Sequence, residues 1–477
     1  MTATMRPFAF PILLTTAALA LAALSTPTRA DDIDDIVTAD MAARHIPGLG
    51  LAIVQNGAVV KDSAYGVADV DKKAGVFPAT MFEIGPLTRQ ITATAVMQLV
   101  EQGKVGLDDK ISKYIVNPPE GWSDITVRHL LTQTSGIKDA DEVMPVYARI
   151  TKALTVDQTI ALVSHLPLAF TPGEQWQSSC TNYILLGKVI EKASGVSYGE
   201  YISTNILKPL GMDSTHLANP KAGWPAMSKG YTLLADGTPK PGLPSTATSL
   251  WSAGSIVANV GDLAKWSVAM EGNKLVKADS AALMIKPFQL TGDNSSGNDC
   301  AMGLTIRHPQ GHNIAENGGA TGGFTAHYCR DLDSRLEIII LTNDATVDTM
   351  PLAHRILESY IPSIAPDPMA EKDPAVDEYC KGILKKLQDG QLDANEFSPD
   401  TWTAVRKLHI DAVGKVLTTL GPLTRFEQND KDYTPDGQPI YSYRCIFGDT
   451  AYELKTGPSA DGKIGHFEFA MDPFDVP

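Results

Sequence analysis

The 477-residue chain is poor in basic charge: 40 lysines and arginines stand against 55 aspartates and glutamates, a formal net charge of −15. That balance argues against a nucleic-acid partner, because no basic footprint is available to displace phosphate counterions. Aromatic residues make up only 7% and cysteines number only five, and internal repeats and low-complexity tracts are absent. A small disulfide-stapled scaffold, a collagen, a coiled coil and a disordered polymer are thereby excluded. Beyond the first thirty residues no apolar run is long enough to span a bilayer. What is present is 43% hydrophobic residues over a length that predicts two or three domains.

The first thirty residues carry Arg6, an apolar run from Phe8 to about Leu24, and Thr28-Arg29-Ala30 ahead of Asp31-Asp32. This pattern predicts a secretory signal peptide over residues 1–30, cleaved after Ala30. The run is short and broken by Pro11, which disfavours a retained membrane anchor. Removing Arg6 and Arg29 leaves 38 basic against 55 acidic side chains, a net charge of −17. The mature chain is expected in the periplasm or outside the cell, where its cysteines meet oxidising conditions. Cys300 and Cys329 bound neighbouring predicted strands, and Cys380 and Cys445 share the C-terminal segment. Those two disulfides are expected, leaving Cys180 as a thiol.

Ile33 to His45 reads as a helix, and Gly48 to Val70 as a hairpin turning at Asn56-Gly57. A helix is expected from about Pro86 to Gln102, with Ile91, Ala95 and Leu99 at helical spacing and Gly103 at its C-terminal cap. Residues 126–270 are mostly helical in pattern, and strand signals return over 302–343. Strands at both ends of a helical middle predict one sheet built from the two termini, with a helical second lobe, over residues 31–362. Pro362, Pro366 and Pro368 mark a linker, 363–370. Residues 371–477 show helical faces (Val376, Cys380, Leu384, Leu387) and then period-two strands (Tyr441, Tyr443, Cys445), an α+β unit.

Four segments then stand out. They are Phe82-Glu83-Ile84-Gly85-Pro86-Leu87-Thr88-Arg89, Leu130-Leu131-Thr132-Gln133-Thr134-Ser135-Gly136, Thr181-Asn182-Tyr183-Ile184-Leu185-Leu186-Gly187 and Gly318-Gly319-Ala320-Thr321-Gly322-Gly323-Phe324. In this order they resemble the serine β-lactamase and penicillin-binding-protein family, in its class C and esterase-like branch. The resemblance implies an α/β (α+β) fold, an antiparallel sheet flanked by helices with a helical lobe. The C-terminal unit weakly resembles the ketosteroid-isomerase-like cones appended to some members. The family's chemistry needs a serine at the start of a helix and a lysine three residues later. Those places hold Pro86 and Arg89. Proline has no hydroxyl, and an arginine side chain keeps its proton and cannot act as a base. The resemblance also implies an oxyanion hole using the backbone N–H at the nucleophile position, which proline lacks, and a second N–H near Ala320. The tyrosine-x-asparagine motif falls on Ser178-Ser179-Cys180, and the lysine- or histidine-x-glycine motif on Asn317-Gly318-Gly319, just after Glu316.

Three look-alike motifs are set aside. Ser135-Gly136-Ile137-Lys138 lies in a loop landmark of the family, where Gly136 weakens a helix; Ser296-Gly297-Asn298 and Lys455-Thr456-Gly457 complete the imitation, the last in the appended unit. The altered cleft leaves Arg89, Ser179, Cys180, Glu316, Asn317, Gly319, Ala320 and Thr321 as candidate ligand-binding residues. Arg89 either anchors an anion such as a peptide carboxylate or pairs with Glu316 and fills space. Cys180 is either a buried small thiol or a replacement nucleophile beside Arg89. No histidine pair has metal-ligand spacing with an acidic partner, so no metal or cofactor is expected, and His312 and His327 read as strand-surface or loop residues. The expected function is an exported homologue without serine-hydrolase activity that binds a small molecule, peptide or protein partner in the cleft. The alternatives are a hydrolase rebuilt around Cys180, Arg89 or Glu316, and an interaction protein working through its C-terminal unit.

Overall fold

The run Leu336-Glu337-Ile338-Ile339-Ile340-Leu341 does not alternate, as befits a strand covered on both faces. In the computed structural model it lies at the centre of an eight-stranded sheet. The strands are β1 (Gly48–Gln55), β2 (Ala58–Asp69), β3 (Ala74–Gly75), β4 (Asp299–Cys300), β5 (Thr305–Arg307), β6 (Ile314–Ala320), β7 (Thr325–Asp331) and β8 (Leu336–Thr342). Their order is β3-β2-β1-β8-β7-β6-β5-β4, and every pairing is antiparallel. The β1–β8 pairing joins the two ends of the domain, as expected. Residues 30–144, 154–218, 226–234, 237–243, 250–291, 299–364, 374–407 and most of 413–471 are described. Nearly all of the expected signal peptide, most of the linker and Ser296-Gly297-Asn298 lie outside the described residues.

The helices that matter for the site are α1 (Ala30–Arg44), α2 (Thr88–Glu101), α3 (Cys180–Ser194), α4 (Val260–Glu271) and α5 (Met350–Tyr360). Period-two alternation splits β8 between two cores. Ile338 and Ile340 join Ile33 and Val37 of α1 and Leu352 and Ile356 of α5 on one face. Ile339 and Leu341 join Ile91 and Val96 of α2 and Leu263 of α4 on the other, which we call the cleft face. The β1–β2 turn is Asn56-Gly57, both with positive φ (51° and 73°), the geometry that two-residue hairpins favour. Ahead of α2 a 3-10 turn, Gly85–Leu87, brings the chain in, so the α-helix starts two residues later than expected; Gly103, at φ 69°, follows its end. No helix among the described residues is long and apolar enough to cross a membrane.

The C-terminal segment has α6 (Pro374–Gln388), α7 (Pro399–Lys407) and a meander of β9 (Leu423–Tyr433), β10 (Pro439–Phe447), β11 (Thr450–Pro458) and β12 (Ile464–Met471). Cys380, Leu384 and Leu387 of α6 pack with Phe397, Tyr443, Leu454 and Phe467 in a core of their own.

Neither expected disulfide forms; all five cysteines are thiols. The strand order explains the first. Cys300 pairs with Thr305, Thr305 with Glu316 and Glu316 with Cys329, so the two cysteines stand three strands apart. That is about 14 Å at ordinary strand spacing, twice what a disulfide tolerates. In the C-terminal core the Cys445 thiol donates to the Tyr443 carbonyl at 3.7 Å, and burial pushes the Cys380 thiol up to about 11.

Candidate functional site

The N-terminal turn of α2 and the end of β6 are locked together. The Asn317 side-chain amide donates to the Pro86 carbonyl (2.9 Å) and to the Gly303 carbonyl (3.1 Å). A β carbon at Gly319 would lie 2.4 Å from Pro86 Cγ, so the pyrrolidine ring already occupies the space beside the strand. Ala320 and Thr321 cover Gly85, where a β carbon would sit 3.2 Å from Thr321 Cγ2. Gly85 itself has a φ of 49°. The strand expected to carry the third motif therefore lies against Pro86, where a nucleophile was expected, and meets a ring without hydroxyl or N–H.

One turn on, Arg89 is half-buried. It donates to Ser178 Oγ (3.0 Å) and Cys180 Sγ (3.4 Å), and its guanidinium carbon lies 5.6 Å from the centre of the buried Tyr183 ring. Its Nε is buried without a hydrogen-bond partner, and among the described residues no carboxylate pairs with it. Cys180 opens α3, where its backbone N–H donates to Asp139 (2.7 Å), and its sulfur lies within 4.8 Å of carboxylate oxygens of both Asp139 and Asp141. Two acids so close work against negative charge on that sulfur and weaken the nucleophile reading. Ser179 is buried, its N–H donating to Gln133 Oε1 (3.1 Å), while its hydroxyl oxygen is buried without a partner. The look-alike Ser135 is fully buried and donates to Asn182 Oδ1 (2.6 Å), a structural role.

The structure corrects the expectations for Glu316 and His327. Neighbouring residues of β6 point to opposite faces, so Asn317 faces the cleft and Glu316 faces α5. Glu316 therefore neither pairs with Arg89 nor lines the cleft. It binds Arg307 through Oε1 and approaches His354 (2.8 Å) and His327 (3.4 Å) through Oε2. Burial works against its charge, but His354, His327 and Arg307 outweigh burial and hold its carboxyl well below the usual range. His327 is no surface histidine: it is 4% exposed, on β7. His354, Arg307 and the neighbouring Cys329 were not signalled by any motif, because two strands and a helix supply them. His312 does lie at the end of a short turn, near Asp331 (3.4 Å).

A central antiparallel sheet covered by helices on both faces is a β-lactamase/transpeptidase-like fold. Residues 33–360 match the Beta-lactamase family, and the chain belongs to it. Protein flp of Staphylococcus aureus (strain N315) is 33% identical over 242 residues, covering 49% of this chain and 47% of that protein. The chain thus spans about half the length of the protein flp relatives it matches. Penicillin-binding protein 4* of Bacillus subtilis (strain 168) is 25% identical over 400 residues, 78% of this chain and 86% of that protein. Among solved structures, the octameric penicillin-binding protein homologue from Pyrococcus abyssi superposes with a TM-score of 0.63 at 24% identity, covering 92% of this chain and 90% of that one. A D-amino acid amidase from Ochrobactrum anthropi SV3 gives 0.60 at 23% identity, over 69% and 98%. These structural likenesses concern the fold alone.

Proposed function

We propose that this protein is an exported member of the family that has given up acyl-enzyme chemistry and binds a carboxylate-bearing small molecule or peptide in the former active-site cleft. The observation that carries this reading is the sealed junction of Pro86, Asn317 and Gly319 beside a half-buried Arg89 that has no carboxylate partner among the described residues. Without a hydroxyl at position 86 no ester to the protein can form there, and without its N–H one oxyanion donor is gone, a loss of about 3–4 kcal/mol in related sites. Arg89 retains what an anion site needs: a fixed guanidinium, held by Ser178, Cys180 and the Tyr183 ring. Export rests on the N-terminal pattern of residues 1–30.

The test has two arms. A fluorescent penicillin should leave no covalent adduct in the intact mass of the mature protein; a stable acyl adduct overturns the reading. In calorimetry a short peptide with a free C-terminal carboxylate should bind about tenfold tighter than its C-terminal amide, and Arg89→Gln should abolish that difference. Hydrolysis of esters or amides that falls in Cys180→Ala would instead support a rebuilt hydrolase, for which the 3.4 Å Arg89–Cys180 contact is the favouring observation.

A further inference from the structure

On the face of the sheet away from the cleft, four metal-binding side chains converge: Glu316 of β6, His327 and Cys329 of β7, and His354 of α5. One ligand atom of each lies within 4.8 Å of all the others. We propose that these four residues form a closed structural site for zinc or a similar borderline divalent cation, independent of whatever the cleft binds.

The register builds the cluster. Glu316 stands directly opposite Cys329, and the next pair on the same face is Gly318 opposite His327. Gly318 keeps that place open, since a β carbon there would be 2.5 Å from His327 Nδ1. With Nδ1 against β6, the other ring nitrogen, Nε2, points into the cluster, where it is buried without a hydrogen-bond partner, 3.4 Å from Glu316 Oε2. His354 closes the group from α5 with its Nε2 2.8 Å from the same oxygen. Tetrahedral zinc ligands lie about 3.3–3.8 Å apart, so small side-chain adjustments suffice. A thiolate and a carboxylate neutralise a divalent ion, and two neutral imidazoles complete four ligands of the kind zinc selects. Arg307 on Glu316 Oε1 is the outer-shell partner that fixes the carboxylate with Oε2 inward. Glu316, His327 and Cys329 are 3%, 4% and 0% exposed, which leaves no open position for substrate and assigns the ion a structural role.

The test uses the full mature chain, purified under reducing conditions, stripped with a chelator and titrated with cobalt(II). One ion per chain should bind, giving intense visible bands of tetrahedral cobalt and a near-ultraviolet thiolate charge-transfer band, both bleached by zinc and reversed by chelator. Cys329→Ser should lose the charge-transfer band. His354→Ala, at the most exposed ligand, should weaken binding by more than about 100-fold, beyond the loss typical of an outer-shell change. Cys180→Ser should leave the spectrum intact. No cobalt uptake by the wild type, or a band that survives Cys329→Ser, overturns the proposal. So does a band lost in Cys180→Ser, which would place the ion beside Asp139 and Asp141.

Discussion

At the scale of single residues, the site turns on how Pro86 and Gly319 share space. The ring of Pro86 cannot retreat, because its carbonyl is held by Asn317 and α2 begins two residues on. A β carbon at Gly319 would meet Pro86 Cγ at 2.4 Å and Cδ at 2.8 Å. Gly319→Ala should therefore destabilise the protein by about 1–3 kcal/mol, the usual cost of overpacking. Pro86→Ser removes the obstructing ring, so the double variant should recover part of that loss, a coupling of about 0.5–3 kcal/mol. Urea unfolding of the four proteins measures it, and additive losses would show that the two residues do not compete for the same space. That position 86 carries no hydroxyl was legible in the sequence, since it needs only residue identity at a recognisable place. The fit of a proline ring against a glycine was not, because it depends on a distance between residues 86 and 319, far apart in the chain.

At the scale of elements, strand register decides which residues can meet. Strand order separates Cys300 from Cys329 by three strands, while register sets Glu316 directly against Cys329. A non-reducing peptide map of the mature protein should accordingly contain no Cys300–Cys329 peptide, and thiol titration after denaturation should count all five cysteines. A linked pair would mean that β4 does not lie at the edge of this sheet, three places from β7. The same alternation explains what sequence reading missed. The apolar run of β8 marks it as a buried strand, and the place of the strands near both ends of the domain in one sheet was expected from the two-ended pattern. Which face Glu316 takes, and that His354 arrives over it, depends on the docking of α5 through Leu352, Ala353, Ile356 and Leu357. A histidine 38 residues from its partner carries no spacing signal of the kind that marks a zinc motif.

At the scale of the whole molecule, the described residues bury their apolar side chains in cores that belong to different parts of the chain. Leu341 belongs to the cluster that unites the sheet with α2 and the helical lobe, whereas Leu454 belongs to the cluster of α6, α7 and β9–β12, and no strand or helix contributes to both, unlike β8, which ties the two cores of the sheet together. Cooperativity follows shared burial, so segments with separate cores unfold as separate units. Calorimetry of the full mature chain should then resolve two transitions. Leu454 is fully buried, and Leu454→Ala should cost about 2–5 kcal/mol within its own unit, lowering one transition and leaving the other in place. Leu341→Ala, equally buried, should move the complementary transition. If each substitution lowers a single common transition, the C-terminal unit is instead part of one cooperative structure with the family domain. In that case a change at the sheet would be felt at α6.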